Sequence, residues 1–160
     1  MGREYFGGKA RRKVMLGAKL DRATANIPQG GQYALFTITG GKVLMTLIVG
    51  EVTVDIGSTV SMKLIATPTT GTATDLCAAV DMASCVKGDL LGITGTPGDG
   101  MLVANKSSIQ AMLTGGVILT PGVLDLDTTA STTGKVTWLI TYIPLDDGAE
   151  MTVDTSGTTV

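Results

Sequence analysis

The sequence predicts an all-β protein, an antiparallel β-sandwich or jelly-roll-like body with an extended N-terminal arm. Three observations predict it. Runs rich in Val, Ile, Leu and Thr recur about every ten to fifteen residues, the spacing of short strands in sandwiches and barrels. Glycine and proline clusters punctuate those runs, as at Pro97-Gly98-Asp99-Gly100, Gly115-Gly116 and Pro121-Gly122. No segment of helical period lies between them.

Residues 1–25 read as a basic arm. Residues 1–22 carry Arg3, Lys9, Arg11, Arg12, Lys13, Lys19 and Arg22 against Glu4 and Asp21, a net of +5, while the remainder carries −7. A basic arm on an acidic body fits docking on an acidic neighbour or on phosphate, the alternative being a solvated tail. Ala10, Val14 and Ala18 share a helical spacing and predict a short helix that orders on contact. Asn26-Ile27-Pro28-Gln29-Gly30-Gly31 marks the boundary with the body, residues 26–148.

The body opens with a strand over Gln32–Ile38, and Gly40-Gly41 predicts a tight hairpin into a long strand, Lys42–Val54. There Val43, Met45, Leu47 and Val49 alternate onto one face, and Leu44, Ile48, Val52 and Val54 fall mostly on the other. Apolar residues on both faces require cover on both sides, from a second sheet or another subunit. Further strands are expected over Val60–Thr67, Ala73–Met82, Asp89–Thr94, Met101–Ala104, Ile109–Leu119, Gly122–Asp127 and Lys135–Ile143. In the last of these Val136, Trp138, Ile140 and Tyr142 alternate with Thr137, Leu139, Thr141 and Ile143, which makes Trp138 a core or interface anchor. The set expected in packing or a subunit interface is therefore Val43, Met45, Leu47, Val49, Trp138 and Tyr142. Residues 149–160 read as a polar tail.

Composition narrows the function. Charged residues are 16% of the chain, against an average of about 25%, and the mean hydropathy is +0.35. So few charges cannot coat a free surface, which points to apolar strands hidden by partner subunits. The chain has no histidine, so Ser-His-Asp and Cys-His chemistry and His-ligated metal sites are excluded. A Ser-Lys dyad would need a buried lysine, and nothing selects Lys63, Lys106 or Lys135. Gly40-Gly41-Lys42 lacks the spacing of a phosphate loop and precedes a strand, not a helix. Asp125 with Asp127, and Asp146-Asp147, offer oxygen ligands but no EF-hand pattern, so turn and strand-end roles are expected. No enzyme activity, metal or cofactor is expected.

Cys77 and Cys85 are read as free thiols of a protein made in a cytoplasm. No signal peptide is expected, and the longest apolar run, Val43 to Val49, is shorter than the ~20 residues needed to span a bilayer. Apart from Tyr5 and Phe6 the arm has no stacking aromatics, which disfavours nucleic acid as a partner.

Several stretches, in order, resemble a family of small tailed-phage virion proteins. They are Asp21-Arg22-Ala23-Thr24-Ala25-Asn26-Ile27-Pro28-Gln29, Ala34-Leu35-Phe36-Thr37-Ile38-Thr39-Gly40-Gly41-Lys42-Val43-Leu44 and Gly50-Glu51-Val52-Thr53. Pro68-Thr69-Thr70-Gly71-Thr72-Ala73-Thr74-Asp75-Leu76-Cys77, Gly92-Ile93-Thr94-Gly95 and the ending Trp138-Leu139-Ile140-Thr141-Tyr142-Ile143-Pro144-Leu145-Asp146-Asp147-Gly148-Ala149 continue it. The resemblance spans roughly residues 20 to 150 and is weakest in the arm. It implies a β-sandwich-like body, commonly a homotrimer, on the capsid exterior of the virion as a decoration (cement) protein, with the major capsid protein lattice as partner. Arg3, Lys9, Arg11, Arg12, Lys13, Lys19 and Arg22 would then anchor it. A head-fibre or tail component, and a host-surface glycan-binding module, are the alternative expectations.

Overall fold

The computed structural model describes residues 17–28, 30–112, 115–130 and 132–155. Among them it is all-β, with no helix. The strands are β1 (Ala18–Asn26), β2 (Gly31–Thr39), β3 (Val43–Val54), β4 (Ser61–Pro68), β5 (Thr74–Asp75) and β6 (Val80–Asp81), then β7 (Leu90–Gly92), β8 (Leu102–Ala104), β9 (Val117–Leu119), β10 (Gly122–Thr128), β11 (Lys135–Pro144) and β12 (Glu150–Val153).

Two sheets pack face to face. Sheet A runs β1-β11-β3-β7-β8, with β9 also on β3; sheet B runs β12-β2-β10-β4-β5, with β6 also on β4. Every named pair is antiparallel. Period-two sequence writes this layout most plainly in β11, where Val136, Trp138, Ile140 and Tyr142 are buried and the residues between them half-buried. The inner faces join in one core that includes Trp138, Phe36, Met45, Ile48, Met62, Leu64, Leu91, Leu124 and Ile140. Burying side chains of this size contributes roughly 1.5–3 kcal/mol each.

The chain passes between the sheets where a hairpin is expected. Gly40-Gly41 does not join paired strands: β2 lies in sheet B and β3 in sheet A. The turn is an arch, and the reason is burial. Phe36 and Ile38 face inward from one sheet and Val43 and Met45 from the other, so both strands bury an apolar face by packing across the sandwich, not side by side. A second arch, from β11 to β12, lies against the first. The Asp146 carboxylate accepts from the Lys42 N–H at 2.8 Å, and the Leu145 N–H donates to the Lys42 carbonyl at 2.9 Å. Gly40 has φ +73° and its α-carbon faces the Gly148 carbonyl, a position closed to any side chain.

Other boundaries move too. The body begins at β1, eight residues ahead of the expected boundary at 26. Residues 18–25 are thus an edge strand hydrogen-bonded to β11, although their charges resemble those of the arm. Ala18 starts that strand, so it is not helical; Ala10 and Val14 lie outside the described residues. Within the expected tail, Glu150–Val153 form β12, anchored by Met151, which is 1% exposed. Ala73–Met82 is two short strands separated by a bend, Asp89–Thr94 keeps only Leu90–Gly92, and among the described residues of Ile109–Leu119 the strand is Val117–Leu119.

Candidate assembly surface

The two outward faces of the sandwich differ in chemistry. On sheet B, Lys63 (β4) shares its outward face with Asp75, Asp81, Asp125, Asp127 and Glu150 from the neighbouring strands, a net of −4. The Lys63 Nζ donates to both Asp75 oxygens at 2.9 and 3.0 Å and stands 3.8 Å from an Asp127 oxygen. Those Asp75 bonds hold the ammonium above the ordinary lysine pKa. Asp125 and Asp127 do share one strand face, where Asp125 is buried and accepts from the Thr67 hydroxyl.

Sheet A is different. Its outward strand positions include Leu139 and Ile143 of β11, Leu44, Leu47 and Val49 of β3, and Ile118 of β9. Register sets them side by side: Leu139 pairs with Val49, Ile143 with Leu44, and Leu44 with Ile118. Ile118 is 60% exposed and the others are half-buried. Charged outward positions on this sheet are Lys19, Asp21, Glu51 and Lys135, two of each sign. Lys19 and Asp21 neutralise each other at 2.9 Å. Part of one corner is covered from within the chain, because Ile109 lies over Gly92 and Gly116 over Leu44.

A β-bulge decides which β3 residues reach this face. Thr141 pairs with Leu47 but Tyr142 pairs with Met45, so Thr46 is the extra residue. Its hydroxyl bonds to the Thr141 carbonyl at 3.1 Å and hydroxyl at 2.7 Å. The extra residue flips the alternation. Val43 and Met45 therefore point inward, while Leu47 and Val49, expected on the same face as them, point outward, and Ile48 and Val52 take their place in the core. The expected packing set thus divides: Val43, Met45, Trp138 and Tyr142 are core, and Leu47 and Val49 are outer face. Leu139, Ile143, Leu44 and Ile118 complete that face, and the alternation of β11 is the signal that pointed to two of them.

Of the residues expected to anchor the protein, Arg3, Lys9, Arg11, Arg12 and Lys13 lie outside the described residues. Lys19 is exposed beside Asp21. Arg22 is 6% exposed and cannot reach a partner. It pairs with Trp138 in register and so faces inward, where its Nε–H donates to the Asp154 carbonyl at 3.2 Å. Burial lowers the guanidinium pKa and the nearby Asp154 charge opposes that. This bond ties the edge of sheet A to the segment after β12. Asp154 completes the tie through its N–H to the Leu35 carbonyl (3.0 Å) and its carboxylate to the Thr37 hydroxyl (2.9 Å).

Cys77 and Cys85 are free and buried. Burial raises both thiol pKa values, which keeps them protonated and unreactive. Among the described residues no group of three or more His, Cys, Asp or Glu could hold a metal ion, and no helix is long and apolar enough to cross a membrane. No family model, no curated protein and no solved structure matches this chain.

Proposed function

We propose that this chain is a structural subunit of a tailed-phage particle, a decoration protein that binds the outside of the capsid as a homo-oligomer after synthesis in the host cytoplasm. The observation that carries the reading is the neutral aliphatic outer face of sheet A in a chain with 16% charged residues. A sandwich whose inner faces already fill one core has no internal use for a second apolar face; a protein that assembles does. The ordered resemblance to small virion proteins supports a place on a phage particle and says less about which part of it. Arg3, Lys9, Arg11, Arg12 and Lys13 remain the residues proposed to anchor it to the capsid lattice, while Lys19 and Arg22 have structural partners of their own.

A subunit that binds only the closed shell opposes its opening by mass action, by about 2.7 kcal/mol per site at a hundredfold excess over Kd. Phage heads stripped of this protein should release their genome at a lower temperature than decorated heads, and adding the protein back should restore the difference. An unchanged release temperature with altered attachment to cells would replace this reading with a fibre or tail role. Selective binding to one glycan would replace it with a receptor-binding module.

A further inference from the structure

We infer that the outer face of sheet A is the surface through which copies of this chain meet, a second copy covering Leu47, Val49, Leu139 and Ile143. The inference rests on the assembling role proposed above and names the partner for that face.

Charge placement selects the partner. Sheet B presents a net of −4 outward, so two copies repel each other wherever those faces approach. Sheet A presents two lysines and two carboxylates around an uncharged centre, and it is the face on which two acidic bodies come together without that cost. The long edge strand is guarded against the alternative route of strand addition. β1 carries Lys19 and a bulge between Arg22 and Ala25, both devices that block edge-to-edge pairing. Size agrees as well. The three long neighbouring strands β1, β11 and β3, at ~4.8 Å spacing and about ten residues at ~3.3 Å each, span on the order of 500 Å², the same order as the ~800 Å² per partner of a stable interface. Closed two-fold and three-fold arrangements both turn this face toward the axis, and the mass of the assembly reads which is used.

The test is sedimentation of the full-length protein over a range of concentrations, with circular dichroism to verify folding. The wild type should sediment as a multiple of the 16.4 kDa chain at micromolar concentration. Leu139→Lys and Leu47→Lys should each weaken association by roughly thirtyfold or more, as for interface hot spots, and yield folded monomers. Val123→Lys, on the outward face of sheet B, should leave the mass unchanged. Should either lysine unfold the chain, Thr141→Lys, at a position already polar, makes the same measurement. A wild type that is monomeric at ~100 μM, a concentration well above common interface Kd values, overturns the inference. So does retention of the wild-type mass in the sheet A variants, or its loss in Val123→Lys alone. Binding to stripped heads is measured separately. A monomer that still decorates heads removes this interface, and the homo-oligomer with it, but leaves the decoration role standing; an oligomer that dissociates as expected but never binds heads keeps the interface and removes the decoration role.

Discussion

Trp138 lies across Gly50 because the two are partners in register, and the missing side chain makes room for the indole. A Cβ on Gly50 would stand 2.9 Å from Cζ3 and 3.0 Å from Cε3 and Cη2 of that ring. The indole is 2% exposed and has nowhere to retreat. Gly50→Ala should therefore destabilise the fold by about 1–3 kcal/mol, the cost of overpacking a filled core. A denaturant midpoint shift at constant slope, read from the fluorescence of the single tryptophan, measures it. A variant as stable as wild type would show that the ring is not held there. Arg22 illustrates the opposite residue-scale choice, a charge taken inward. Its guanidinium stays where Asp154 supplies a carbonyl acceptor and a compensating charge, which is how a basic residue comes to serve an edge strand.

At the scale of elements, the last strand closes the sandwich. β12 pairs with β2 over Glu150 to Val153, its Met151 is core, and the Tyr142 hydroxyl donates to the Met151 carbonyl at 3.4 Å. Ending the chain at Ala149 removes that side chain and the Arg22–Asp154 tie together. The expected loss is at least the ~2–5 kcal/mol of a deleted core methionine, seen as a lower thermal midpoint; an unchanged midpoint would make the segment a dispensable tail. The sequence hid this strand because Glu150, Thr152 and Asp154 make it read as polar, and two inward residues, Met151 and Val153, are too few to register as a period. β1 was hidden likewise, since Lys19, Asp21 and Arg22 match the arm before them and its single inward charge breaks the apolar alternation. The long strands were legible, β11 most fully. In β3 the apolar residues were legible on both faces but not their assignment, because a bulge at Thr46 leaves no mark in the order of residues. Gly40-Gly41 showed a turn; whether it joins neighbours in one sheet or crosses between two depends on which strands lie alongside, and those are 81 to 117 residues distant, β11 beside β3 and β12 beside β2. The apolar outer face of sheet A was half legible for the same reason.

Over the whole molecule, β11 stands between β1 and β3, and Ala18 meets Tyr142 across the full length of the body. Contacts so distant in sequence slow folding. They also fix when it can happen. As the polypeptide leaves the ribosome, its first strands wait without their central neighbour until residues 135–144 have emerged. A translationally arrested product ending at residue 130 should be digested by protease as readily as a random coil, whereas the released full-length product resists; resistance of the arrested product would contradict this order. An unfinished molecule therefore has no sandwich and presents no shaped surface, so premature docking in the assembly proposed above is prevented by the order of synthesis itself.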